Sequence, residues 1–330
     1  MALSQDILTR IVNVHWGGGA IVAVGVEVAD DENTIGRIYR GKPSEDTANI
    51  LPQTWTTVVE TKAVAFRCMS YALVNGTPTT VGESIIEVGG TPVFLAGGGA
   101  SSSIEMRYSN NAQQWSNVFT KPYDNVGAYG LMGIVWDPDE RAFFAASAAT
   151  IDSGDILAQR QLWSSSDGRS WNLVAELISF SSEQTDEIDK QITQLLLAHA
   201  TKPENRGGKD GKVPDGFQAY DPNKKIFMTP GGLTGWQISG PILDIGNTVK
   251  IESKADDGKV TNSSASFPVE IVWGVSFAGG VWNVLGMREL SAPTFQKPSV
   301  VFCSTDDGET WEEVFARAGY FPAGIVSGDI

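Results

Sequence analysis

STDDGETW, residues Ser304–Trp311, repeats a turn grammar found elsewhere in the chain and decides the fold. Ser304 and Asp306 are spaced to hydrogen-bond the amides of a tight turn, and Gly308 supplies a positive φ there. Thr310 closes the turn, and Trp311 opens the following strand with a side chain large enough to fill the space between sheets. A second copy, Ser164–Trp171, is read with Ser164, Asp167, Gly168 and Trp171 in the corresponding roles, although Ser166 stands at the aspartate position. A third, Ser109–Trp115, keeps the serine, a pair of asparagines and the tryptophan.

Working outward from these turns, each is preceded by an apolar strand with a small-residue tail: TPVFLAGGG at 91–99, RAFFAAS at 141–147 and GVWNVLG at 280–286. AIVAVG at 20–25 and KKIFMTP at 224–230 are the same strand without a box. Trp55, Trp115, Trp171 and Trp311 mark a period of roughly 56–70 residues. Strand, turn, strand, turn, tryptophan-led strand is how a four-stranded antiparallel blade reads. The chain is therefore expected to be all-β, a β-propeller of about five blades (14–59, 84–119, 131–175, 216–268 and 270–316), with 60–83 or the C-terminal tail able to raise the count to six. One domain spanning 1–330 is expected, since closing a ring leaves no free sheet edge.

One stretch departs from the period of two. Ile188, Ile192, Leu195 and Leu196 recur at helical spacing, with Thr185 as the expected cap and Asp186, Glu187 and Asp189 suiting the first turn. The glycine- and lysine-rich residues 202–212 read as a loop, so 181–215 is an insertion. Its apolar face is a candidate interface, with folding back onto its own blades as the alternative.

Composition narrows the function classes. The formal charge is -15, from 39 acidic and 24 basic residues, which disfavours sequence-specific nucleic-acid binding and anionic membranes. Hydrophobic residues at 42% with a mean hydropathy of -0.10 fit a soluble globule. MALSQDILTR lacks a basic start and an apolar run, so no signal peptide is expected, and no stretch reads as a membrane span. Cys68 and Cys303 are too few for a disulfide framework and read as buried free thiols.

The box at Ser304–Trp311 and the blade grammar around it resemble the sialidase-like, aspartate-box (BNR-type) β-propeller superfamily, over most of residues 11–316, and within it the propeller-bearing tail components of tailed bacteriophages. In that superfamily the boxes lie on the outer rim, away from the substrate funnel, so the resemblance implies a structural role for them here. Sialidases carry an Arg-Ile-Pro near the first blade; this chain has Arg37, Ile38 and Tyr39, which puts sialidase activity in doubt.

No catalytic, cofactor or metal set emerges. Glu87, Glu105 and Asp137 are nominal glycosidase carboxylates, and His15 and His199 are the only histidines; all five read more simply as structural groups. Gly17–Gly19 and Gly97–Gly99 read as turns where blades crowd together. Trp16, Trp236 and Trp282 stand outside the boxes, as core residues or sugar platforms. The resemblance implies a non-enzymatic virion protein, a phage tail nozzle or hub acting as scaffold or conduit, located in the virion, homo-oligomeric and partnered by other tail proteins. The alternative is a carbohydrate-binding or carbohydrate-cleaving propeller whose partners are glycans.

Overall fold

The structure is a computed structural model that describes residues 9–28, 34–41, 55–81, 84–99, 103–122, 126–153, 156–199, 219–221, 224–237, 240–255, 257–278, 280–289 and 298–318. Its fold class is the β-propeller: five four-stranded antiparallel sheets, with one helix among the described residues. Blade 1 is β1 (Thr9–Gly17), β2 (Ala20–Val28), β3 (Thr34–Gly41) and β4 (Trp55–Lys62), paired in that order. Blade 2 opens with β5 (Ala65–Val74) and, after a two-stranded hairpin of β6 (Thr77–Val81) and β7 (Ser84–Val88), continues with β8 (Thr91–Gly99), β9 (Ser103–Ser109) and β10 (Ser116–Pro122). Blade 3 is β11 (Val126–Asp137), β12 (Ala142–Ser153), β13 (Ile156–Ser165) and β14 (Asn172–Ser179), followed by α1 (Ser182–His199).

Blade 4 is β15 (Ala219–Asp221), β16 (Ile226–Pro230), β19 (Thr248–Lys254) and β20 (Val260–Ser266), with β17 (Leu233–Gln237) and β18 (Gly240–Leu243) as a hairpin between its second and third strands. Blade 5 is β21 (Ile271–Ala278), β22 (Val281–Met287), β23 (Pro298–Ser304) and β24 (Glu312–Ala318). Residues 60–83, open in the sequence, hold the end of β4 and the first strand of blade 2 rather than another blade. Contacts divide the chain into two compact units, one holding blades 1–3 with α1 and the other holding blades 4 and 5.

Within each unit, alternation along the strands builds the core between sheets. Ala20, Val22, Val24 and Ile38 of blade 1 pack with Phe66, Met69, Phe94 and Ala96 of blade 2. The other face of blade 2, with Leu95, Ile104 and Met106, meets Leu131, Trp136, Phe143 and Trp163 of blade 3. Met228 and Val249 of blade 4 meet Val275, Trp282, Val284 and Phe302 of blade 5 in the second unit. Gly97–Gly99 are not a turn but the end of β8. A Cβ on Gly97 would lie 2.9 Å from Cys68 Sγ and Leu131 Cβ, and one on Gly98 would lie 2.1 Å from the Ala65 carbonyl. Crowding between strands, not a turn, therefore demands glycine there.

Each box turn leans on the preceding blade. Ala112, with φ of 57°, sits in the core shared with blade 1. At Gly168, with φ of 72°, an added Cβ would come within 3.0 Å of Val93 of blade 2, and the Arg169 guanidinium lies 4.4 Å from the Tyr108 ring centre. Gly308, with φ of 88°, approaches Met228 and Ile251 of blade 4 just as closely. Positive φ and crowding act together at Gly168 and Gly308, so a side chain there is strained on both counts.

The second box is registered one residue away from the sequence reading. Ser165, not Ser164, accepts from the Gly168 amide at 2.9 Å and donates to Asp167 Oδ1 at 3.0 Å. The turn runs Ser165, Asp167, Gly168, Trp171, one residue shorter than Ser304–Trp311. Ser109, Asn111, Ala112 and Trp115 form the same short version, with Asn111 Oδ1 accepting from the amides of Gln113 and Gln114 at 2.9 Å each.

The helix also corrects an expectation. Its cap is Ser181 rather than Thr185: Ser181 Oγ accepts from the Gln184 amide at 3.3 Å, and Gln184 Oε1 accepts from the Phe180 amide at 2.8 Å. Thr185 Oγ1 instead donates to the Ser181 carbonyl at 3.0 Å. Ile188, Ile192 and Leu196 are buried. Ile192 and Leu196 pack on Val135, Phe144, Ala146 and Leu162, so α1 covers the face of blade 3 opposite blade 2. Of the four candidate interface residues only Leu195 is exposed. Arg160 pairs with Asp189 of α1 through Nε to Oδ1 at 2.5 Å and Nη2 to Oδ2 at 3.2 Å. His199 stacks on Phe144 at 3.4 Å between ring centres, with Nδ1 2.9 Å from Asp137 Oδ2.

Candidate functional site

The box residues are fully engaged within their own turns. Asp306 Oδ1 accepts from Ser304 Oγ at 2.8 Å and from the Thr310 amide at 2.9 Å, and Oδ2 accepts from Thr310 Oγ1 at 2.5 Å. Trp311 Nε1 donates to the Gly308 carbonyl at 3.0 Å, and Trp171 Nε1 to that of Gly168 at 3.3 Å. The Thr310 hydroxyl, then its amide, then Ser304 hold the Asp306 carboxyl down at about 2. At Asp167 burial pushes upward, but the amides of Ser170 and Arg169 outweigh it and the carboxyl lies below its usual range.

The depressed value at Asp306 has a pH consequence. Its folded pKa lies below that of the unfolded chain, so its contribution to stability is complete above about pH 4 and is lost as pH falls through about 2. A carboxyl titration by NMR should find Asp306 near 2, and Thr310→Val should move it upward. An Asp306 midpoint at the usual carboxylate value would show that the turn does not form in solution.

The nominal chemical residues do not form a catalytic set. Glu105 is paired with Arg107 at 3.2 Å on its own strand. Asp137 Oδ1 caps the β11–β12 turn, accepting from the amides of Asp139 at 2.9 Å and Glu140 at 3.2 Å, and Oδ2 holds His199. Trp282 is core, His15 lies on β1, and the side chains of Glu87, Trp16 and Trp236 lie outside the described residues. Both cysteines are free. Burial pushes the Cys68 thiol far up and the Cys303 thiol up as well, against a nucleophilic role. Among the described residues no three His, Cys, Asp or Glu side chains gather as a metal site.

The most site-like surface lies on β13 and β14. Alternation puts Leu157, Gln159, Gln161 and Trp163 on the face of β13 towards blade 2, and the register pairs Gln161 with Glu176 and Gln159 with Ile178. The ladder ends at the Ala158–Ser179 pair, and Phe180 follows directly after it. At the buried end Trp163 packs on Phe119 of β10 at 4.9 Å and donates to Ser147 Oγ at 3.3 Å. Lys121 Nζ lies 5.0 Å from the Trp163 ring centre and donates to Gln161 Oε1 at 3.2 Å.

In the middle, Glu176 Oε1 accepts from Gln161 Nε2 at 2.5 Å and from Gln159 Nε2 at 2.6 Å. A carboxylate only accepts, so both amides must turn their NH2 groups towards it. At the open end Leu157, Ile178 and Phe180 are 47%, 38% and 57% exposed. The capping contact from Gln184 to the Phe180 amide fixes the chain where that ring emerges. The strip thus runs from a buried indole, through a polar array held in place, to an exposed aromatic ring. None of these residues was singled out by motif, because only the pairing of two strands brings them together.

No known protein family and no curated protein matches this chain. Solved structures do. The GH93 α-L-arabinofuranosidase of Fusarium graminearum shares 12% identity over 93% of this chain and 80% of that one, with a TM-score of 0.35. The Penicillium chrysogenum α-L-arabinanase shares 11% over 92% and 80%, also at 0.35. An exo-β-1,3-galactanase from Phanerochaete chrysosporium shares 10% over 76% of this chain, at 0.30, and the chain spans about half of its length, 54%. The likeness is one of fold. These structures are glycoside hydrolases, which runs against the phage tail nozzle or hub expected from sequence. Among the described residues no helix is long and apolar enough to cross a membrane.

Proposed function

We propose that this chain is a saccharide-binding propeller that receives a glycan along the β13–β14 strip of blade 3. The observation that carries the reading is Phe180, more than half exposed, at the end of the strand that carries, four residues earlier, a carboxylate held by two glutamine amides. Sugars present an apolar C–H face and a fringe of hydroxyls. An aromatic ring covers the first, while fixed polar groups answer the second and set orientation. Leu157 and Ile178 widen the apolar platform.

Binding is favoured over cleavage. Glycoside hydrolysis needs two carboxylates about 5–9.5 Å apart, and the strip offers Glu176 alone, flanked by amides. Isothermal titration with neutral oligosaccharides tests the reading, with release of reducing ends followed in parallel. Phe180→Ala should weaken binding about tenfold or more, as loss of an aromatic anchor does. Because the ring is exposed, folding stability should stay within about 0.5 kcal/mol. A folded Phe180→Ala protein with wild-type affinity would place any glycan elsewhere.

A further inference from the structure

We infer that Lys121, on the outer strand of blade 2, is a positioning residue for the strip of blade 3, fixing the direction in which Gln161 presents its amide to Glu176; the inference rests on the saccharide reading of that strip. Lys121 follows Phe119 by two residues on β10 with no bulge between them, so both side chains leave the strand on one face. Phe119 packs on Trp163 at 4.9 Å, and the Lys121 ammonium lies 5.0 Å from the same residue's ring centre. From there Lys121 Nζ donates to Gln161 Oε1 at 3.2 Å, and Gln161 Nε2 donates to Glu176 Oε1 at 2.5 Å. Lys121 is half-buried, Gln161 is wholly buried and Glu176 is exposed, so the chain of bonds runs from the interior to the surface.

A glutamine amide has two ends of nearly the same shape and opposite polarity. An ammonium only donates and a carboxylate only accepts. With Lys121 at one end and Glu176 at the other, one orientation satisfies both partners, and the reversed one sets the NH2 group against the ammonium and the oxygen against the carboxylate. Glu176 alone exerts little control, because an exposed carboxylate can turn to water instead. The charge-assisted bond from Lys121 therefore locks the amide, and the locked amide holds Glu176 in place, with Gln159 Nε2 on the same oxygen at 2.6 Å. A carboxylate ordered beforehand from a neighbouring blade meets a ligand without the cost of ordering it on binding.

The test titrates the full chain and its variants with neutral arabino- and galacto-oligosaccharides by calorimetry. K121M keeps an apolar stem over the Trp163 ring and removes the donor, and it should weaken a neutral oligosaccharide about threefold to tenfold. K121R, which still donates, should restore most of the affinity. In a Q161L background K121M should cost less than about twofold, because Lys121 acts through that amide. In the unsubstituted protein, NMR should find the Gln161 side-chain amide protons slow to exchange and held in one orientation. A folded K121M protein with parental affinity, or an equal loss from K121M with and without Q161L, would overturn the inference, and binding that F180A still abolished would leave the strip a glycan site. Gln161 amide protons that exchange freely in the unsubstituted protein would overturn it with no variant needed. Binding of no probe, or binding indifferent to F180A, would overturn the site itself and this inference with it.

Discussion

Trp282→Ala is expected to cost about 3–5 kcal/mol, read as a lowered denaturant midpoint. The side chain is among the largest that are fully buried, and it lies in the core where the sheets of blades 4 and 5 meet, with Phe277 4.5 Å away. It stands beside the last box, since the register pairs Trp282 with Ser304. Removing it leaves a cavity that two packed sheets cannot collapse into. Trp282→Phe should behave differently. Among the described residues the Trp282 Nε1–H has no hydrogen-bond partner. Phenylalanine keeps most of the ring and removes an unpaired buried donor, a group that costs about 1–3 kcal/mol when left unsatisfied. The two effects oppose each other, and the variant should lie within about 1.5 kcal/mol of the parent. The same exchange at Trp311 forfeits the bond to the Gly308 carbonyl. A Trp282→Phe protein as damaged as the alanine variant would show that the indole N–H is satisfied in solution.

The blade period was legible because three of the five blades place a tryptophan with one physical job just ahead of the outer strand, whereas Trp55 of blade 1 is 46% exposed. Trp115, Trp171 and Trp311 all start or precede outer strands and pack into inter-sheet cores. Blade 2 was mislocated at its start because the β6–β7 hairpin separates β5 from β8, and a first strand without a box next to it carries no motif. The second box was misplaced by one residue because Ser164, Ser165 and Ser166 are identical in the sequence. The longer turn at Ser304–Trp311 served as the template, and it has one more residue than the turn at Ser165–Trp171, whose length the degenerate copy at Ser109–Trp115 shares.

The strip was less legible still. Gln159, Gln161 and Glu176 are ordinary polar residues on two strands, and their convergence depends on a register with a bulge at Leu162 and Trp163. One signal was present in the chain. Outer strands β10, β20 and β24 read SNVFTKP, VTNSSAS and EEVFARA, whereas β14 reads NLVAELIS, and Phe180 follows it. An outer strand with more apolar side chains than its counterparts has something to cover or to bind. On one face α1 supplies the cover, through Ala175 and Leu177. On the other, Ile178 and Phe180 stay open.

Ile192→Ala should cost about 2–5 kcal/mol, the second large effect, and it decides what α1 is for. Amphipathic spacing alone leaves the helix free to serve as an interface or to fold back. In the structure Ile192 is fully buried against blade 3, Leu196 lies beside it, and the Arg160–Asp189 pair and the His199–Phe144 stack hold the helix at two further points. Arg160 is nearly buried, so undocking α1 would strand a guanidinium as well as bare Phe144 and Leu162. Leu195→Ala, on the open side, should change stability by no more than about 0.5 kcal/mol. Exchanging 181–215 for a short Gly/Ser linker should therefore cost the first unit its cooperative unfolding, rather than leaving it intact and merely less able to associate. Urea unfolding followed by far-ultraviolet circular dichroism and tryptophan fluorescence measures all three. A lowered midpoint for Leu195→Ala beside an unchanged one for Ile192→Ala would mean that the helix docks by its opposite face.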